Sequence, residues 1–204
     1  MSGILDLLNS DLGKTIISGV SQESGQPQDK TGKLLTMAMP VLIQAMKRNA
    51  SAPEGAQGLM NALSSKHDGS ILDNLGGFLN GGDFSDGSKI LGHVLGGNQD
   101  TMVQGLSSKT GVDSSIISKI LPMLAPIVMG YLGKQTKSNG VSNSSDLGGM
   151  LGGLLGGSGG NSILTSVLDQ NGDGKLDVSD AMSALSGKKK GGLAGLLGGL
   201  FGKK

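Results

Sequence analysis

Residues 17–48 and 103–134 align without a gap at an offset of 86, and this internal repeat limits what the chain can fold into. Ile17 pairs with Val103, Gly19 with Gly105, Val20 with Leu106, Ser21 with Ser107 and Gly25 with Gly111. The register continues through Lys33 and Lys119, Leu34 and Ile120, Leu35 and Leu121, Met37 and Met123, then Pro40 and Pro126, Val41 and Ile127, and Leu42 and Val128. A fixed period of this kind signals one supersecondary unit used twice. Each copy reads as a short helix ending near a glycine, a turn, and a longer apolar helix, roughly 30–48 and 113–134, with Pro40 or Pro126 inside it. A proline there removes one backbone hydrogen bond and bends the helix. Apolar residues run almost all round 116–132, which predicts a buried central helix; Ser118, Lys119 and two prolines suit it poorly to a bilayer.

The residue palette points the same way. Phe78, Phe84, Phe201 and Tyr131 are the only aromatic residues, so the core must come from Leu, Ile, Val, Met and Ala, which favour helices over sheets. Between the copies, Pro53 and Glu54 open a helix over 53–64 with Leu59, Met60 and Leu63 inward. Asp68-Gly69-Ser70 and Asp86-Gly87-Ser88 each precede an apolar face, and Ser70 with Asp73 has capping-box spacing. With one more helix over 3–20, the expectation is an all-α multihelical bundle of about seven helices over 1–137, carrying an internal duplication.

Several motifs in this region carry a resemblance. Lys47-Arg48-Asn49-Ala50 with Glu54-Gly55-Ala56, His67-Asp68-Gly69-Ser70 with Leu72-Asp73, Ile90 to Gly96, and Leu121 to Gly130 resemble the YidB-like bacterial family, domain of unknown function 937. The resemblance covers residues 1 to about 137 and implies an all-helical, mostly cytoplasmic bacterial domain without an assigned activity.

After residue 137 the composition changes. Residues 138–160 hold a Ser/Asn/Gly-rich linker and a Gly-Leu amphipathic segment, 161–186 a helix-loop-helix unit, and 187–204 a basic Gly/Leu-rich tail. Leu147, Met150, Leu151, Leu154 and Leu155 recur at helical spacing, and Leu193, Leu196, Leu197, Leu200 and Phe201 repeat them at an offset of 46. Each glycine between them costs about 1 kcal/mol against alanine in a helix, so both sister segments need a surface to pack on. That surface is expected to be another helix, a second copy, a protein partner or a membrane interface.

Between the sisters, residues 169–180 read Asp-Gln-Asn-Gly-Asp-Gly-Lys-Leu-Asp-Val-Ser-Asp. Ca²⁺ takes six to eight oxygens at about 2.3–2.6 Å, so a chain must wind tightly to bring alternate residues to one point. Asp169, Asn171 and Asp173 supply the first ligands, Gly174 takes the sharp turn, Lys175 offers its backbone carbonyl, and Asp177 and Asp180 complete an EF-hand-like site. The closing Asp resembles the calcium loop of dockerin modules, which implies that Asp180 is a ligand; dockerins carry two such repeats and this chain one. Ca²⁺ is the one cofactor expected.

Charge and chemistry narrow the function. The tail after residue 186 carries +5 from Lys188, Lys189, Lys190, Lys203 and Lys204, and the remainder −4. Those lysines would favour an anionic membrane surface by about 1 kcal/mol each. A single arginine, Arg48, argues against nucleic-acid binding. Without cysteine, thiolate sites and disulfides are excluded. The N-terminus lacks a Sec-type leader pattern, so the expected location is cytoplasmic. His67 and His93 could form a metal site, or His67 and Asp68 an acid/base pair. Their spacing forces neither, and capping by Asp68 and a polar notch for His93 explain them as well. No nucleophile elbow or P-loop is present, and no enzyme is expected. The sequence thus predicts a non-enzymatic calcium-binding assembly protein, with peripheral membrane binding through the tail, or an enzyme using the two histidines, as alternatives.

Overall fold

Two long apolar helices, one from each copy of the repeat, form the centre of the molecule. The computed structural model describes residues 3–155. Among the described residues nine α-helices follow one another: α1 (Ile4–Asn9), α2 (Asp11–Ser24), α3 (Gln28–Asn49), α4 (Pro53–Ser64), α5 (Leu75–Leu79), α6 (Ser85–Leu95), α7 (Gln99–Thr110), α8 (Ser114–Ser138) and α9 (Ser144–Leu155). Short 3₁₀ turns at Ser70–Asn74 and Gly96–Asn98 precede α5 and α7, and no strand occurs among the described residues. The fold is all-α.

The duplication extends to individual hydrogen bonds. Both α2 and α7 end at a left-handed glycine, Gly25 with φ 67° and Gly111 with φ 72°, whose N–H donates to Ser21 O and Ser107 O respectively. Glycine takes this conformation at least cost. The Ser21 hydroxyl donates to Gln26 O at 2.5 Å and the Ser107 hydroxyl to Val112 O at 2.7 Å. Ser24 donates to Val20 O and Thr110 to Leu106 O, again at equivalent positions. One turn has been built twice.

Packing shows that the repeat unit has three helices rather than two. Helix α4 lies on α8, while α9 lies on α3, so each third helix crosses to the long helix of the other copy. Helix α2 likewise meets α8, and α7 meets α3. The faces correspond at an offset of 91: Ala56, Leu59, Met60 and Leu63 in α4 match Leu147, Met150, Leu151 and Leu154 in α9. The change of offset, from 86 to 91, places five extra residues before α9. The Gly-Leu segment therefore has its surface. Leu147, Met150, Leu151, Leu154 and Leu155 are all buried, and Asn143 caps the helix through Asp146 N–H at 2.9 Å. The packed body runs on past residue 137 to Leu155, leaving only 139–143 as a connection between α8 and α9.

Helix α8 is long and apolar enough to cross a membrane, but 78% of its apolar window is buried inside the bundle, as expected of a core helix. Three local expectations are corrected. The predicted helix over 3–20 is two helices, because Ser10 is extended (ψ 169°) and caps α2 through Gly13 N–H while its hydroxyl donates to Leu7 O at 2.6 Å. Ser70 and Asp73 form no capping box: Ser70 opens a 3₁₀ turn, and its N–H donates to Asp68 Oδ1. Helix α6 is entered before Asp86, with Asp83 accepting both the N–H and the hydroxyl of Ser85 at 2.8 Å. Asp86 is thereby released for another partner.

Candidate functional site

Chemistry-bearing side chains meet where the loop after α4 crosses α8. The crossing depends on bare backbone. A Cβ at Gly133 would overlap the carbonyl oxygen of His67, one at Gly130 would overlap the Ile71 side chain, and Gly69 has φ 107° against Lys134. Gly87 does the same for α6, because a Cβ there would collide with Pro122 O. That carbonyl lacks its helical donor, since Pro126 has no N–H to return to it. The prolines and glycines of α8 thus let the 65–70 loop and the start of α6 close on one stretch of helix.

His67 is 7% exposed, and its Nε2 lies 3.3 Å from Asp86 Oδ2. Lys66 Nζ reaches the other oxygen of Asp86 at 3.5 Å. Burial depresses the His67 pKa below the usual 6.5, Asp86 opposes that shift, and Lys66 adds to it. The lowered pKa favours the neutral imidazole, and the His67 backbone N–H donates to Ala62 O at 2.9 Å. Asp68 points away from the imidazole; its Oδ2 accepts from Lys137 Nζ at 2.8 Å and its Oδ1 from Ser70 N–H at 3.1 Å. The Lys137 hydrogen bond, then those from Ser70, hold the Asp68 carboxyl well below the usual carboxylate range.

The two histidines are not brought together. His67 touches the first turn of α6, whereas His93 is exposed in its last turn, seven residues on and about 10 Å along the axis at about 1.5 Å per residue. His93 contributes its backbone carbonyl to Asn49 Nδ2 at 3.2 Å. Among the described residues no group of three or more His, Asp or Glu is placed to hold a metal ion. An open groove of about 410 Å³ between α2 and α5 is lined by Lys14, Thr15, Ser18, Gln22, Gly76 and Asn80, and neither histidine borders it. The sequence-predicted calcium ligands Asp169, Asn171, Asp173, Lys175, Asp177 and Asp180 lie outside the described residues, as does the basic tail.

Against known proteins, the family model described as "Bacterial protein of unknown function (DUF937)" matches residues 6–135. The chain belongs to this family. No curated protein and no solved structure gives a significant match. The DUF937 match ends within α8, before the third helix of the second copy, so the packed body is longer than the matched segment.

Sequence reasoning missed three structural relationships: the His67–Asp86 contact, the Asp68–Lys137 pair and the docking of α9. The first two join residues 19 and 69 positions apart, which no local pattern relates. A signal for the loop crossing was present in the spacing of Gly130 and Gly133, three apart on one face of an otherwise bulky helix.

Proposed function

We propose that this protein is a non-enzymatic calcium-binding assembly protein whose C-terminal loop controls how its Gly-Leu segments engage helical surfaces. The observation that carries the reading is the loop at 169–180, with five correctly spaced oxygen side chains and Gly174, set between two sister segments. Support comes from α9, the first sister, which buries its whole apolar face on α3 and α4. Calcium winding Asp169 to Asp180 around one point would fix the chain path between α9 and residues 193–201. The ligand set, like that of dockerin loops, closes on Asp180 rather than Glu, an arm one methylene shorter.

Calorimetric calcium titration with mass determination in both states tests this reading. Binding of one ion by the natural chain, its loss in Asp169→Ala with Asp173→Ala, and a calcium-dependent change in mass are expected. Unchanged mass in calcium and EDTA would remove the assembly function and leave only an ion site.

A second reading, peripheral membrane binding, is favoured by the lysines that bracket 193–201. Flotation with anionic vesicles should then be lost when the chain ends at Gly187, and equal flotation rejects it.

A further inference from the structure

We infer that Asn80, at the end of α5, is a site of spontaneous deamidation that replaces its neutral amide with a carboxylate on the wall of the groove between α2 and α5. The inference goes beyond the calcium reading and does not depend on it.

The chemistry needs an asparagine followed by a residue without a side chain. The backbone nitrogen of that next residue, having lost its proton, attacks the asparagine Cγ. The bond from Cγ to the side-chain nitrogen breaks, ammonia leaves, and a cyclic succinimide remains. Water then opens either carbonyl, giving aspartate or, with the chain routed through the former side chain, isoaspartate. Amide plus water thus becomes acid plus ammonia, and no oxidant or enzyme is consumed. Three Asn-Gly pairs meet the sequence requirement: Asn80-Gly81, Asn139-Gly140 and Asn171-Gly172. The last lies outside the described residues, so the structure distinguishes the first two.

Asn80 and Gly81 form the exposed apex of a closed loop. At its base the Phe78 and Phe84 rings meet edge to face at 5.3 Å. Gly82 N–H donates to Phe78 O at 2.9 Å, and Asn80 N–H to Gly76 O at 3.0 Å. These bonds hold the chain on both sides of the 80–81 peptide and leave that peptide free. Among the described residues neither Asn80 O nor Gly81 N–H takes part in a backbone hydrogen bond. Attack requires the peptide to swing away from the observed Asn80 ψ of 35°. Gly81 allows it, with φ 133° and open space where a Cβ would stand.

Asn139 and Gly140 are the same two residue types after α8, but their reacting groups are engaged. The Asn139 side-chain amide donates to Gln135 O at 2.7 Å and to Gln135 Oε1 at 3.1 Å, and Gly140 N–H donates to Lys137 O at 3.4 Å. Reaction there must give up these bonds; at Asn80 the same swing gives up none. A tenfold difference in rate corresponds to about 1.4 kcal/mol, the net worth of one or two neutral hydrogen bonds.

The product changes the groove. Helix α2 lines it with Lys14, Thr15, Ser18 and Gln22, and Lys14 is paired there only with the exposed Asp11. A carboxylate at position 80 adds a negative charge to the α5 side, facing a wall that now meets a neutral amide.

Peptide mapping of the full folded chain, after prolonged incubation in mildly alkaline buffer, tests the inference. Isoaspartate is tagged with an isoaspartyl methyltransferase, and fragmentation separates Asn139 from Asn171. Asn80 is expected to deamidate about tenfold or more faster than Asn139, with isoaspartate as the main product. In urea the two rates should converge, because the unfolded chain offers two equivalent Asn-Gly pairs. Asn80→Gln, whose extra methylene disfavours ring closure, should keep its amide and its melting temperature. A folded chain in which Asn139 reacts as fast as Asn80, a gap that persists in urea, or an Asn80 that retains its amide would each overturn the inference.

Discussion

Thr31 and Ile117 occupy the same position in the two copies of the repeat, both wholly buried in the first turn or two of a long central helix, and only Thr31 carries an oxygen that finds no hydrogen-bond partner. A buried hydroxyl without a partner costs about 1–3 kcal/mol. Thr31→Val removes the oxygen while keeping the branched shape, and should stabilise the protein by about 1 kcal/mol. For a chain of this size that is about 2–4 °C in Tm. A melting temperature that falls or does not move would mean that the hydroxyl is satisfied in solution.

Glycines at the loop crossing should differ sharply from glycines on open helix faces. Gly133→Ala drives a methyl into the His67 carbonyl and should cost about 1–3 kcal/mol. Gly92→Ala, in the interior of α6 with nothing near its added methyl, should instead stabilise by about 0.5–1 kcal/mol. Chemical denaturation of the two variants checks the pair, and equal effects would disprove the close approach.

His67 sets a pH dependence whose sign follows from its depressed pKa. Between its folded pKa and 6.5 the unfolded chain binds the extra proton, so stability is complete above about pH 6.5 and falls as the pH drops below it. His67→Gln should flatten this slope in urea midpoints measured between pH 7.5 and 5. Asp68 acts lower, because its carboxylate is stabilised in the fold and that contribution is lost only as the pH falls below 3.8. Asp68→Asn should leave the upper slope alone and reduce the lower one.

Helix α9 should unfold with the body. Leu151, fully buried, is expected to cost about 2–5 kcal/mol when changed to Ala, in the same cooperative transition that Leu124→Ala affects. Two separate transitions, one carrying only the Leu151 effect, would show that α9 is an appendage.

What the sequence made legible was local or periodic. The helix from Pro53 to Ser64 was readable to the residue, because Pro53 marks its start and Leu59 and Leu63 its buried face. The central helix at 116–132 was readable because its apolar residues leave no polar side. Ser10 was missed because a cap inside an amphipathic pattern breaks the helix without disturbing the pattern's period. Asp83 holds the capping position expected of Asp86 because either acid can precede an apolar face, and Asp86 instead contacts His67. Of the candidate site, the histidines were visible as residue types, but Asp86 became the partner of His67 and Lys137 that of Asp68 only through the packing of the 65–70 loop and α6 on α8.

The crossed third helices bear on how such a chain could arise. Within each copy α2 packs on α3 and α7 on α8, but with α4 seated on α8 and α9 on α3 the third helix of each copy completes the other's core. A polypeptide holding a single copy could bury the same faces only by clasping a twin, and its folding would depend on concentration. Residues 65–98 join the copies and also pack α6 onto α8, so in the present chain the crossed contacts form within one molecule, at a fixed effective concentration.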